Sequence, residues 1–356
     1  MKTITLVICI CISTLIHAQK YSFIPDSLKL ITMDKLMKKP LPTSLDLVYY
    51  EDGTKTTLKE VMPLVIQQKL QPHMFVDKDG NYIALVVAKS KTKAEDIRIR
   101  YKNMPESLQK LGYSFGNPNS NTVIINTQGG PMINLLTDSF KSIFKEAGDI
   151  NEDKYFLINV HQAQTLKPEK FIMSEISFEQ AKAYSKETSK MLYDLISYFK
   201  SENKKVYIVG ISFGSFVGEG LIAEYGNIAD GYLLAVGRLD MTEEIWKAYS
   251  KGIAASFKED AINVVVGSRS DDEVTTVNIR KIAAGFGHNR YTKLLENTDL
   301  SNLTYLYAKS DQNVGKLTDD EIKFLKSKGA NVIGFEGGHR SWTKHLKEGI
   351  DLLLKN

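Results

Sequence analysis

Lys205-Val206-Tyr207-Ile208-Val209-Gly210-Ile211-Ser212-Phe213-Gly214 is the stretch on which the fold turns. The apolar run Val206-Tyr207-Ile208-Val209 reads as a buried strand, and the residues after Gly214 read as a helix. Gly210-Ile211-Ser212-Phe213-Gly214 therefore stands in the strand–turn–helix context that gives a G-x-S-x-G pattern meaning. A strand that feeds directly into a helix strains the serine backbone and leaves no room two residues to either side. Gly210 and Gly214 meet that demand, and Ser215 and Gly218 keep the next turn small. The geometry lifts the Ser212 hydroxyl above the carboxyl edge of a sheet. The plain alternative is a glycine-rich turn with a capping serine, and the flanking strand weighs against it.

A serine nucleophile needs a base, and the base needs an orienting acid. Ala330-Asn331-Val332-Ile333-Gly334-Phe335 reads as a short buried strand, and Glu336-Gly337-Gly338-His339 follows it directly. Two glycines allow that loop to fold back toward Ser212. Leu303-Thr304-Tyr305-Leu306-Tyr307-Ala308 reads as another strand, with Asp311 three residues past its end. Such a carboxylate can accept the Nδ1 proton of His339 and fix its tautomer. Rivals exist for both roles. Asp240 follows a strand over Tyr232 to Val236, and Asp271 and Asp272 follow the strand-like Ile262-Asn263-Val264-Val265-Val266-Gly267. Asp311 is preferred because its strand is the last before the histidine strand. His288 lacks a preceding strand and reads as a loop histidine. His161, at the end of a strand over Tyr155 to Val160, reads as a structural one, and His73 and His345 carry no pattern.

The order Ser212, Asp311, His339, each just beyond a strand, resembles the α/β-hydrolase family, over roughly residues 70 to 356. The resemblance implies an α/β fold, with a mostly parallel sheet covered by helices on both faces. It implies Ser212 as nucleophile, Asp311 as acid and His339 as base, from Gly-x-Ser-x-Gly, Lys-Ser-Asp-Gln-Asn-Val and Gly-Gly-His. A further element fits. Thr122 to Asn126 reads as a strand, and Thr127-Gln128-Gly129-Gly130-Pro131 follows where family members often carry His-Gly-Gly-Pro or His-Gly-Gly-Gly. That implies an oxyanion hole from the N–H groups of Gly130 and Phe213. Pro131 has no N–H to give. Gln128 stands where the family usually has His, and Gly-Gly-Pro alone also reads as an ordinary turn before a helix. Residues 242–300 occupy the position where the family often carries a cap, which Trp246, Tyr249, Phe257, Phe286 and Tyr291 could line.

Residues 1–18 have the form of an export signal: Lys2, an apolar core from Ile4 to Ile16, and Ile16-His17-Ala18 before Gln19. The core is too short to span a bilayer. Cys9 and Cys11 each follow isoleucine, which is not the pattern of a lipid-anchored chain. They are the only two cysteines in the sequence, so the chain after Ala18 has no disulfide, cysteine nucleophile or thiolate metal site. Its length suffices to bury a core without disulfides. The expected location is secreted or periplasmic, without stable membrane insertion.

The formal charge of +4 loses one unit with Lys2, and the lysines are dispersed among acids, a solvated surface rather than a nucleic-acid footprint. There is no phosphate-binding loop, no dinucleotide fingerprint and no zinc-ligand pair, so no cofactor and no metal is expected. The expected partner is a small-molecule ester or a short peptide substrate.

Residues 19–70 read as an N-terminal extension. Within them Thr57-Leu58-Lys59-Glu60 signals a capped helix running toward Gln68. Residues 71–356 read as the hydrolase domain. Met74 to Val76 and Tyr82 to Val87 form a hairpin about an Asp-Gly turn, expected to open the hydrolase sheet. Ser177 and Gln180 cap a helix whose Ala181, Tyr184, Thr188, Leu192, Leu195, Ile196 and Phe199 recur at helical spacing as a core face. The readings that remain are a carboxylic esterase, a serine peptidase or aminopeptidase on the same machinery, and an inactive hydrolase-like binding protein. The export signal carries a prediction of its own: intact-mass analysis of protein recovered outside the cytoplasm should give a chain beginning at Gln19. A retained Met1, or a lipid adduct on Cys9 or Cys11, would overturn it.

Overall fold

Strands with apolar residues on both faces must be covered on both faces, and that rule divides this chain. The computed structural model describes residues 21–31, 45–66, 70–89, 97–268 and 274–355, and it falls into two units meeting between Ile97 and Arg98. The N-terminal unit runs β1 (Lys29–Leu30), β2 (Leu47–Tyr50), β3 (Lys55–Thr56), helix α1 (Leu58–Ile66), β4 (Leu70–Val76) and β5 (Tyr82–Lys89). The expected hairpin is β4–β5, its turn tied by the Asp77 carboxylate, which accepts the N–H groups of Asp79 and Asn81. It does not open the hydrolase sheet, and the expected boundary at residue 70 moves to residue 97. The hairpin lies at the centre of a separate five-stranded sheet of order β1-β4-β5-β2-β3. Its alternate residues are apolar in both directions. Leu85 and Val87 pack with Val48, Met74 and the Val61 and Val65 side chains of α1. Ala84 and Val86 pack with Phe75, Tyr21 and Ile24. Both faces are thus closed within the unit. The expected leader at residues 1–18 lies outside the described residues, as do Gln68, Asp271 and Asp272.

The C-terminal unit begins with helix α2 (Glu106–Gln109), β6 (Gly112–Gly116), β7 (Thr122–Thr127), α3 (Asp138–Glu146), β8 (Phe156–Val160), α4 (Ala163–Leu166) and α5 (Pro168–Met173). It continues with α6 (Phe178–Ser201), β9 (Lys205–Ile211), α7 (Phe213–Tyr225), β10 (Gly231–Ala235) and α8 (Glu243–Ser250). Then come β11 (Ala255–Phe257), β12 (Val264–Val266), α9 (Val274–Gly287), α10 (Tyr291–Leu294), β13 (Leu303–Ala308), α11 (Asp319–Ser327) and β14 (Asn331–Phe335). A 3₁₀ turn (His339–Lys344) and α12 (Leu346–Leu353) close the unit.

Seven strands form one sheet in the order β14-β13-β10-β9-β7-β8-β6. Only β6 runs antiparallel, against β8; the other pairings are parallel. This strand order, with the elbow after the central β9, is the α/β-hydrolase fold. On one face Ile124, Tyr207, Val209, Leu233 and Leu306 bury themselves under Phe140 and Phe144 of α3 and Ile350 and Leu353 of α12. The predicted helix is α6, with the predicted capping box at Ser177 and Gln180. Its core face is buried as read, except that Tyr184 is half-buried.

Residues 242–300 belong to the same compact unit as the sheet, residues 98–356. Helix α9 packs against α6 and α8, and the Asn278 side chain binds the chain of residues 171–176 through Phe171 O, Ser174 O and Ile176 N. The strand expected over Ile262–Gly267 is the short β12, paired with β11 in a two-stranded ribbon outside the main sheet. Most of the aromatics expected to line a cap serve as packing: Tyr291 is fully buried, Trp246 stacks on Phe178, and the Tyr249 hydroxyl donates to Ala255 O.

At the end of β8, His161 is structural, as read. Its Nδ1 lies 2.7 Å from the Thr165 hydroxyl, and burial pushes the imidazole down to about 4. The unfolded chain takes this proton near pH ~6.5, so it alone gains a proton as pH falls between the two values. Stability should therefore drop between pH ~6.5 and ~4, by at most about 3 kcal/mol from this group, and no further below. Urea unfolding at pH 7, 5.5 and 4 should show that acid slope, flattened in His161→Gln; an equal slope in both proteins would reject it.

Candidate active site

Ser212 sits between β9 and α7 with φ 57° and ψ −120°, a conformation that L-residues rarely adopt. Three contacts hold it there. The Ser212 N–H donates to Ala235 O on β10 at 2.8 Å. The Ser215 hydroxyl reaches the carbonyls of Gly210 at 3.1 Å and Ala235 at 3.0 Å. The Thr127 hydroxyl, from β7, donates to Gly214 O at 2.8 Å. Both elbow glycines are required by close approach. A Cβ on Gly214 would overlap the Thr127 carbonyl, and one on Gly210 would lie 2.5 Å from Gly214 O.

β13 and β14 run parallel to β9, so the residues beyond their ends reach the same edge of the sheet. The two loops are joined by Lys309 N–H to Phe335 O at 3.0 Å and Ser310 N–H to Gly337 O at 3.1 Å. Gly337, at φ 111°, makes the turn that brings His339 back. His339 Nδ1 lies 2.7 Å from Asp311 Oδ2, and Nε2 lies 2.9 Å from Ser212 Oγ. Asp311 is 1% exposed, and its Oδ1 accepts the N–H groups of Asn313 at 2.9 Å and Val314 at 3.1 Å. With Oδ1 so occupied, Oδ2 is left for the histidine. Donation of Nδ1–H to Asp311 leaves Nε2 as an acceptor for the serine hydroxyl. The ribbon of β11 and β12 backs the acid loop through Phe257 N–H to Gln312 O at 2.9 Å and Lys316 N–H to Ala261 O at 3.1 Å.

The rival residues are engaged elsewhere. Asp240 accepts the Thr292 hydroxyl and N–H through its two carboxylate oxygens, at 2.5 and 3.3 Å. His288 Nδ1 lies against Gly285 O and its ring against Phe178. His345 stacks on Phe335, and His73 pairs with the Tyr21 hydroxyl. Of the two expected oxyanion donors, Phe213 opens α7 with its ring edge-on to Phe286 at 5.4 Å. Gly130 lies in the loop after β7. Its neighbour Gly129 packs on the elbow, where an added Cβ would lie 3.6 Å from Ser212 Cβ. Neither the Gly130 nor the Phe213 N–H finds an acceptor among the described residues.

Sequence reasoning missed the tie between α7, which follows Ser212, and β13, which precedes Asp311. Tyr305 on β13 donates its hydroxyl to Glu219 Oε1 on α7 at 3.0 Å, both fully buried. Burial pushes the Glu219 carboxyl well above the usual carboxylate range. A Glu at an inward position of α7 was the available signal, since such a residue needs a partner. Nearby, Arg238 and Glu321 form a buried pair at 3.1 Å, and Glu321 Oε1 accepts the Asp240 N–H.

No protein-family model matches the chain, and no curated protein matches it. Among solved structures, an α/β-hydrolase enzyme from a Medee basin deep-sea metagenome library is 14% identical, with 68% of this chain and 92% of that one covered at a TM-score of 0.46. A hydrolase from Oleispira antarctica is 12% identical, covering 73% and 100% at 0.46. A bromoperoxidase from Bacillus anthracis is 17% identical, covering 69% and 95% at 0.43.

The overlap at Gly214 is with backbone, which cannot rotate away. Gly214→Ala should therefore destabilise the protein by about 1–3 kcal/mol, seen as a lower urea midpoint at unchanged m-value. A change below about 0.5 kcal/mol would mean that the elbow is looser than this packing requires.

Proposed function

We propose that this protein is an exported serine hydrolase that cleaves carboxylic esters through an acyl-enzyme. The observation that carries the reading is the unbroken chain from Ser212 Oγ through His339 to the buried Asp311. Ser212 Oγ attacks the ester carbonyl carbon as His339 Nε2 takes the hydroxyl proton. The imidazolium then stands against Asp311, whose carboxylate balances its charge. Gly130 and Phe213 offer their free N–H groups to the oxyanion, each worth about 3 kcal/mol of barrier. Collapse of the tetrahedral adduct expels the alkoxide, which takes the proton from His339. Water repeats the sequence on the acyl-enzyme, releasing the acid and restoring the Ser212 hydroxyl.

An ester is favoured over an aminopeptidase substrate by three acids among the described residues between 242 and 300. A free amine would need a carboxylate turned toward the site, whereas Glu243, Glu244 and Glu259 are exposed and Glu243 is paired with Lys247. An inactive binding protein would have no need of a strained serine aligned with a histidine.

A fluorophosphonate probe should label Ser212, and Ser212→Ala should abolish labelling and ester turnover with the fold unchanged. Asp311→Asn should lower kcat by up to roughly 10⁴-fold, with Asp240→Asn costing less than about tenfold. No labelling of the wild-type protein would reject the reading. A crippling Asp240→Asn with a near-neutral Asp311→Asn would move the acid. Faster cleavage of aminoacyl anilides than of simple esters would reject the substrate class.

A further inference from the structure

The loop after β7 is held by side chains more than by backbone. Gln162, just past the end of β8, donates through Nε2 to Gln128 O at 2.9 Å and to Gly129 O at 3.2 Å. Its Oε1 accepts the Met132 N–H at 2.8 Å. Gln164 donates through Nε2 to Met132 O at 2.9 Å and to Gln162 Oε1 at 2.7 Å. Gln128, in the place the family gives to histidine, binds the far end of the same loop. Its Nε2 donates to Asn134 O at 2.9 Å, and its Oε1 accepts the Leu136 N–H at 2.9 Å and Asn159 Nδ2 at 3.2 Å. All three glutamines are buried.

A peptide unit is rigid and planar, and in its trans form the C=O and the following N–H point in opposite directions. Fixing the Gly129 carbonyl therefore fixes the Gly130 N–H, and fixing the Gln128 carbonyl fixes the Gly129 N–H. Adjacent glycines give the backbone more freedom here than any other pair would. Gln162 removes that freedom at both planes with one side chain. Only an amide can do this, because the task needs a donor for the carbonyls and an acceptor for the Met132 N–H on the same group.

We propose that Gln162 is the positioning residue of the oxyanion hole, setting the direction of the Gly130 N–H while touching no substrate atom itself. The inference rests on the serine-hydrolase reading for its catalytic meaning and on the hydrogen bonds above for its structural one. A donor displaced by about 1 Å costs on the order of 10²-fold in rate, and complete loss of one costs about 10²–10³-fold.

The test is Gln162→Met, which keeps the volume and removes all four hydrogen bonds; Gln162→Asn replaces it if that variant does not fold. The expected result is a kcat lowered about 10- to 100-fold with KM within about threefold. Affinity for an aryl trifluoromethyl ketone should fall by the same factor, because its adduct with Ser212 carries the oxyanion. Amide hydrogen exchange, read by mass spectrometry on a peptide covering residues 128–132, should accelerate. Unchanged exchange would overturn the clamp, whatever the activity. Faster exchange with unchanged kcat and ketone affinity would overturn its role in positioning the donor. A loss residing in KM alone would do the same. A wild-type protein that neither labels nor turns over esters would instead bring down the hydrolase reading and the catalytic meaning with it, and the exchange comparison would still decide the clamp.

Discussion

The packing of one turn against two strands governs the rest of the site. For Ser212 to stand above the sheet edge, α7 must begin where β9 ends, with its first residues against the backbone of Thr127 on β7 and Ala235 on β10. That closeness leaves no space for a Cβ at Gly210 or Gly214, and it holds Ser212 in a backbone conformation costing about 1–3 kcal/mol. The buried parallel strands around it supply the stability that such a turn consumes. Once the turn is fixed, parallel pairing does the remaining work. β10, β13 and β14 step outward from β9 in order, so loops far apart in sequence emerge side by side at one edge. Asp311 and His339 need only short excursions to meet Ser212.

This is why the meeting of Ser212, Asp311 and His339 was legible in the sequence. Each lies just past an apolar run, and runs of that kind alternating with helical segments imply a parallel sheet whose loops share an edge. What the sequence could not display was pairing between distant strands. The β4–β5 hairpin has the apolar pattern of a buried strand pair, and nothing local says which sheet it joins. The answer lies in β1 and β2, two short segments that carry too few residues for a pattern of their own. The apolar run Val264–Val266 misled for a related reason, since hydrophobicity alone does not distinguish a sheet strand from one arm of an isolated ribbon. Asp240 looked eligible because position past a strand was the only criterion; that its carboxylate is bonded to Thr292, while His339 lies against Asp311, is visible only in three dimensions.

Buried polar groups were the least legible part. Glu219, Gln162 and Gln164 stand among residues of every kind in the sequence, and their meaning appears only with their burial. A carboxyl enclosed as Glu219 is must be neutral or paired with a charge. Its one hydrogen bond is from the Tyr305 hydroxyl, and Arg238 is taken by Glu321. Burial therefore favours its neutral, acid form.

The same preference for neutral groups marks the loop after β7. A cation there would bind carbonyls but repel backbone N–H groups; a carboxylate would do the reverse. A neutral histidine has one donor and one acceptor on opposite sides of a ring, too far apart to hold two carbonyls and an N–H of one tight turn. The primary amide of glutamine has two donor hydrogens beside an acceptor oxygen, which matches the groups that Gln128 to Met132 present to Gln162. Under the serine-hydrolase reading proposed above, the fixed loop dipoles would face a charge that exists only during reaction.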